Sequence, residues 1–522
     1  MSCPSIFNDV IGPVMRGPSS SHCAASLRIG RLCRDLMEGR VDDVLLEFDP
    51  AGSLATTHDG HGSDMGFFGG LLGWEAFDER LPESEKVIKE SGIGATIEIV
   101  PIGYSHPNTY KITLKNETET RRVVAISTGG GMIEVIEIGG AQVSISGDYC
   151  ETLIYVRSEA DVLHRIEATA AFDEVQYREG PVPFVEIKSQ QFPDASFLEQ
   201  LAASEDVIAV RKLSPVLPVG SRKNLQVPFT NCEEMLEYNK DKGLELWELA
   251  AHYESARGNI SKEEVFAKMA EIVGIMRSAI NRGLEGTTYG DRILGSQSVN
   301  FERQMKNKKL VEADALNRVI MFTTAMMEVK SSMGVIVAAP TAGSCGALPG
   351  AVLGVALDRP EDEAVKAMLA AAMIGVFIAT SATFAAEVGG CQAECGSGSG
   401  MAPAALVSLS DGTLEQSLSA ASMALQNSLG LICDPIGNRV EAPCLGRNVQ
   451  AATNALSCAN MALADYDHLI PLDQVIDTMD KVGESIVPEL RCTSLGGLSI
   501  TPASLAIESK LMGIGSPPGE GI

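Results

Sequence analysis

Through the first 150 residues, apolar positions come in short runs broken by polar residues and stopped by glycine or other turn formers. The runs at 44–48, 95–100, 110–115, 121–127 and 132–138 are rich in valine, isoleucine and threonine, which predicts strands. From 151 to 188 the run LIYVRS precedes an amphipathic segment at 160–171. This stretch is a small α/β extension or a continuation of the same domain. Residues 191–230 hold several prolines and no period, the composition of a linker. From 231 onward the period changes to that of helices. Ser261 and Glu264 have the spacing of a capping box, each side chain able to take the other's free amide, and open a helix reaching about residue 280. Apolar helical stretches follow at 311–336, 362–387, 415–429, 448–465 and 473–486. The pattern predicts an α+β multidomain chain: an α/β-containing domain at 1–150, an extension at 151–190, a linker at 191–230 and an all-α helical domain at 231–522.

The 522 residues provide for two to four domains. With 45% hydrophobic and 21% charged residues the composition is that of a globular protein. Aromatics are only 5% while glycine reaches 51, which points to closely packed small-residue helices. A net charge of -27 gives nucleic acid or an anionic membrane surface no electrostatic attraction. Residues 367–386 carry no charge and are long enough to span a bilayer, but they are mostly Ala, Ser, Thr and Gly, so a buried core helix is expected. The start, MSCPSIFNDV, has no basic segment ahead of an apolar one, and a cytoplasmic location is expected. In a reducing compartment, twelve cysteines serve as packing residues, metal ligands or redox groups. Homodimerisation is admitted but not specified.

Candidate chemistry lies between the helices. PTAGSCGALPG (340–350), GGCQAECGSGSG (389–400) and LGLICDPIGNRVEAPC (429–444) each place cysteine among glycine and proline. Cys391, Cys433 and Cys444 are 42 and 11 residues apart, so they meet only if the fold brings separate loops together. Spacing alone leaves buried packing and metal ligation both open.

The segments GCQAE, LGLICDP, APC and RN, together with IGPVMRGPSSSH (11–22), GHGSD (60–64) and GGG (129–131), resemble the iron-sulfur L-serine dehydratases over roughly 1–150 and 230–510. The resemblance implies a 4Fe-4S cluster on Cys391, Cys433 and Cys444, with one iron left open as a Lewis acid for a small amino acid substrate. A base must remove the α-proton. His61 is preferred, with Asp64 to orient it and Gly62 and Ser63 beside it; His22 is the alternative. Ser19, Ser20 and Ser21 are candidates for holding the substrate's carboxylate or ammonium. Pro340, Thr341, Gly343 and Asn448 match loops that line the site, and Cys345 and Cys395 are expected to be neighbours of the ligands.

Departures from the family pattern occur at Gln426-Asn427-Ser428, at Gly446 and at Cys492. They fit an altered substrate or leaving group, or neutral drift. A cluster-dependent cysteine desulfidase and a non-catalytic iron-sulfur sensor are the competing functions. A pyridoxal-phosphate lyase lacks its lysine motif, Lys330 in VKSSMG being a poor substitute.

Overall fold

The computed structural model describes residues 3–157, 162–163, 165–166, 172–290 and 292–513. Most of the amphipathic segment at 160–171 lies outside the described residues. The chain opens with a short strand, β1 (Val14–Arg16), and then builds a six-stranded sheet from the alternating runs: β2 (Asp43–Phe48), β3 (Gly94–Ile99), β4 (Thr109–Lys115), β5 (Thr120–Gly129), β6 (Met132–Ile138) and β7 (Ala141–Ile145). Its order is β3-β2-β4-β5-β6-β7, with β2 and β3 parallel and the other neighbours antiparallel. Alternation decides which face is buried: Tyr110, Ile112 and Leu114 of β4 and Val44, Leu46 and Phe48 of β2 enter one core with the Ala25–Leu36 helix. The edge strand β3 is largely exposed.

A second, four-stranded sheet follows: β8 (Cys150–Val156), β9 (Glu174–Arg178), β10 (Phe184–Ser189) and β11 (Val207–Leu213), in the order β11-β8-β10-β9 and antiparallel throughout. The expected linker is therefore shorter than 191–230. Residues 195–202 form a helix and 207–213 an edge strand paired with β8, so the extension runs to residue 213. Proline punctuation hid this strand, because its apolar residues are only half-buried. One face of the sheet, with Ile154, Val156, Val185 and Ile187, packs on Val162, Ile166 and Leu201. The other, with Leu153, Tyr155 and Phe184, shares the core of the six-stranded sheet.

That shared core also encloses two carboxyl groups. Glu151 and Glu186 are each 1% exposed, and neither oxygen of Glu151 has a hydrogen-bond partner. Lys188 Nζ lies 4.0 Å from Glu151 but donates to the Ser144 carbonyl at 2.6 Å. Burial, reinforced by the charge of Glu186, raises the Glu151 pKa from 4.5 to about 9. The folded state thus keeps a proton that the unfolded chain releases. Stability from this group is fully present below pH 4.5 and is lost as pH rises through about 9. Glu151→Gln is expected to melt above the wild type at about pH 8.5 and to lose that advantage near about pH 5, measured by circular dichroism.

The second half is helical, as its period predicts. The Lys262–Leu284 helix begins with the Ser261/Glu264 capping box in place. The Glu361–Ser381 helix is long and apolar enough to cross a membrane by composition, and 78% of its most apolar stretch is buried inside the protein. It packs between the Leu246–Gly258 and Ser397–Leu409 helices, with the Asp314–Ser331, Leu414–Gln426 and Cys444–Leu463 helices completing the bundle.

The two halves are stitched together where it matters for a site. β1 pairs antiparallel with β12 (Val335–Val337), Val14 opposite Val337, and Gly12 N donates to the Ala338 carbonyl at 2.9 Å. This holds the 11–22 segment against the 340–350 loop.

Candidate active site

Two helices of the first half cross at glycines. A Cβ at Gly66 would stand 2.0 Å from the Cys23 carbonyl oxygen, and one at Gly70 would stand 2.2 Å from that of Leu27. Only glycine lets the Ala25–Leu36 and Ser63–Leu71 helices approach so closely. Their leading turns, GPSSSH and GHGSD, are thereby brought face to face. The rings of His22 and His61 meet edge-on at 4.8 Å between centroids.

The two histidines differ in what they are bonded to. His22 is fully committed: Nε2 to Thr57 Oγ1 at 2.8 Å, and Nδ1 to the hydroxyls of Ser19 and Ser21, each at 3.1 Å. Thr57 donates its own proton to the Ser53 carbonyl and Ser21 donates to Glu387, so the network assigns His22 a proton on Nε2 and makes Nδ1 an acceptor from Ser19, with the Ser21 oxygen in contact beside it. His61 is 0% exposed, and neither ring nitrogen makes a hydrogen bond of normal geometry, the Asn438 side-chain amide lying near the ring. Burial, then the neighbouring His22 ring and the charges of Arg439 and Lys330, push its pKa well below 6.5 and outweigh the Asn438 amide. The imidazole is therefore neutral at neutral pH and available as a base, and the same burial and cations make it a weaker base than a free imidazole.

Several expected roles change. Asp64 does not orient His61; its carboxylate bonds His58 Nδ1 at 2.8 and 2.9 Å, because Asp64 lies in the first turn of its helix on the side facing residue 58. Burial opposes the charge on His58, but the Asp64 hydrogen bond and charge raise its pKa. Ser63 turns to the Tyr110 hydroxyl at 2.9 Å. Ser20 Oγ accepts from the Ala342 amide at 3.0 Å, so all three serines of the turn bond within the protein, Ser20 through its oxygen. Gly62 takes a left-handed φ of 86° as the cap of the Ser63–Leu71 helix.

From the helical half, the 340–350 loop is pinned beside this pair. Thr341 donates to Glu394 Oε1 at 2.7 Å, and Gly343 leaves no room for a side chain, since a Cβ would lie 2.6 Å from the same oxygen. Pro340 precedes this turn, its carbonyl facing Gly130 of the GGG segment. Asn448 holds the loop to the bundle: its Oδ1 accepts from Gly346 N and Ala347 N at 3.1 and 3.0 Å, and its Nδ2 donates to the carbonyls of Gly343 and Cys444. Asn448→Ala strands these buried groups and is expected to lower unfolding stability by about 2–3 kcal/mol, read from denaturant melts.

The cysteines converge as well. Cys391 follows Gly390, whose φ of 73° ends a short helix; Cys433 lies on an extended loop bridged to Arg491; Cys444 opens the Cys444–Leu463 helix. All are buried and none is in a disulfide. Cys395 and Cys492 join them in one buried cluster, Cys395 neighbouring Cys391 and Cys492 neighbouring Cys433. The Cys395 neighbour, with the nearby Arg447 charge, pulls the Cys391 thiol down to about 7, whereas burial pushes Cys444 up to about 12. Arg447 itself is held by Asp434 and the Ile432 carbonyl. A pocket of 170 Å³ lined by Pro18, Gly60, Gly62, Tyr289 and Arg439 reaches in from the surface to the glycines flanking His61.

Residues 241–499, which carry all five of these cysteines, match the family model for the serine dehydratase alpha chain. The probable L-serine dehydratase alpha chain of Bacillus subtilis is 37% identical over 287 residues, covering 55% of this chain and 96% of that one. The chain belongs to the L-serine dehydratase family. The probable L-serine dehydratase beta chain of the same organism is 34% identical over 222 residues, 41% of this chain and all of that one. L-serine dehydratase 1 of Escherichia coli is 28% identical over 497 residues, 93% and 96% of the two chains. This L-serine dehydratase family member thus carries in one chain what two chains carry in B. subtilis, and the β1–β12 pairing and the Ser20–Ala342 bond are the seams between the parts.

Several residues of the site carry no motif. Thr57, Glu387 and Lys330 reach it from within helical stretches. Glu387, ending a charge-free run, and Lys330, on the otherwise apolar side of its helix, were legible only as charges where burial was expected.

Proposed function

We propose that this chain is an L-serine ammonia-lyase that removes the α-proton of L-serine with His61 and expels the β-hydroxyl, giving 2-aminoacrylate, which becomes pyruvate and ammonia in water. The observation that carries this reading is the pairing of a buried His61 with open ring nitrogens and a group of buried free thiols across the seam between the two halves. The names of the relatives support serine as substrate.

The donor set fits a 4Fe-4S cluster on Cys391, Cys433 and Cys444. Thiols from three loops gather without disulfides, and Arg447 supplies positive charge to a site that anionic sulfur would otherwise overload. Among the described residues no three His, Cys, Asp or Glu side chains are set closely enough for a single metal ion. When bound, the cluster supplies an open iron as a Lewis acid that stabilises the departing hydroxide.

The remaining steps fall to the chain. His61, kept neutral by burial and adjacent cations, accepts the α-proton. His22, locked by Thr57, Ser19 and Ser21, presents a fixed ring edge against His61. The Thr341–Glu394 bond and Asn448 hold the 340–350 loop over the site, and burial excludes bulk water. A test is anaerobic turnover of L-serine, D-serine, L-threonine and L-cysteine by the reconstituted protein, with keto acid and ammonia measured. Release from L-serine in excess of the others is expected; sulfide release from L-cysteine alone would replace this function with a desulfidase.

A further inference from the structure

Lys330 stands in the last turn of the Asp314–Ser331 helix, 0% exposed, and its Nζ has no hydrogen-bond partner. An ammonium taken out of water without a partner is destabilising by several kcal/mol, so a buried one points to an anion that arrives with the working state. Its place is set by the turn ahead of His22. Gly17 presses on it so closely that a Cβ there would stand 2.3 Å from the Lys330 carbonyl oxygen and 3.1 Å from its Cγ. Lys330 therefore lies under GPSSSH, at the seam of the two halves. Its charge reaches His61 from the first half and Cys345, Cys444 and Glu394 from the second.

Ser19 and Ser21 serve His22 and Glu387, while Ser20 accepts from the Ala342 amide and has only its neutral hydroxyl proton to offer an anion, which leaves a carboxylate's charge uncompensated. Arg447, whose charge also reaches the thiols, is engaged with Asp434 and the Ile432 carbonyl. An amino acid whose α-hydrogen faces His61 carries its carboxylate on that same carbon. A cation whose charge reaches both the base and the thiols is placed on the side of the site where that carboxylate must lie.

We propose that Lys330 anchors the α-carboxylate of the substrate and thereby selects amino acids that bear a free carboxylate. The proposal rests on the function given above for the identity of the anion, but not for the existence of an anion site. A cation against the carboxylate also stabilises the negative charge that spreads onto it as the α-proton leaves, so the group acts in binding and in the chemical step.

The test compares wild type, Lys330→Met and Lys330→Arg as anaerobic holoproteins, by calorimetric binding of L-serine, of L-serinamide, which lacks the carboxylate, and of malonate. Iron content and thermal melting serve as controls. In the wild type, L-serine is expected to bind more tightly than serinamide by about 10- to 100-fold, the range of a charge-assisted hydrogen bond. Lys330→Met should bind the two equally and lose malonate, with unchanged iron, and Lys330→Arg should restore part of the preference. A Lys330→Met protein that keeps the wild-type preference for L-serine overturns the proposal, as does one that loses iron while the preference persists. If malonate binding depends on Lys330 while L-serine is neither bound nor turned over, the anion site stands and the serine reading fails.

Discussion

His61→Ala is expected to reduce kcat for L-serine by about 100- to 10,000-fold, the usual contribution of a general base, while iron content and melting temperature stay at wild-type values. The expectation follows from the contrast between two buried rings. His22 has both nitrogens spent on Thr57, Ser19 and Ser21, so it cannot take a proton without breaking that network. His61 has both nitrogens open and no charge to lose. His22→Ala should accordingly act through the position of His61, lowering kcat less than His61→Ala does. The pH profile carries the same signature. Because the His61 pKa lies well below 6.5, the base form persists below neutrality, and the acid limb of kcat/KM should fall below pH 6.5 rather than at it. An acid limb at or above that value, or an active His61→Ala protein, would assign proton removal elsewhere.

Cys433→Ser is expected to abolish turnover and to lower bound iron and the visible absorbance of the reconstituted protein to near background. Cys433 sits on an extended loop whose backbone is tied to Leu490 and Cys492, so its thiol is held in place before any cluster arrives. Cys391→Ser and Cys444→Ser should behave alike, since a cluster held by only three thiolates has no protein ligand to spare. The discriminating controls are Cys395→Ala and Cys492→Ala. Both thiols neighbour a proposed ligand, Cys395 beside Cys391 and Cys492 beside Cys433. If they are partners of the ligands, their loss leaves iron bound and changes only its absorbance or its resistance to air. If Cys492→Ala strips the iron while Cys444→Ser retains it, the ligand set is wrong.

Much of the fold could be read from the period of the chain. Strand β6 falls at the expected residues, and the Ser261/Glu264 box opens its helix as the spacing requires. What failed were elements whose signal is not periodic. The Ala347–Val355 and Ser397–Leu409 helices begin in glycine-rich cysteine loops that read as irregular, and β11 was lost in a proline-punctuated stretch because an edge strand need not be apolar. In the site, motif and resemblance brought out the histidines and cysteines but not their wiring. Asp64 sits close to His61 in sequence, and only the helix turn, which aims it at His58, tells otherwise. Glu387, Thr57 and Lys330 belong to the site through packing of distant segments, which no local pattern records.

The most direct test of an iron-sulfur-dependent serine lyase is a titration of the metal-free protein with iron and sulfide under anaerobic conditions, following pyruvate release from L-serine at each addition. Activity should rise in proportion to iron, level off at about four irons per chain, and vanish on exposure to air. Full pyruvate release from the metal-free protein, or a fully loaded protein that leaves L-serine untouched, would contradict it.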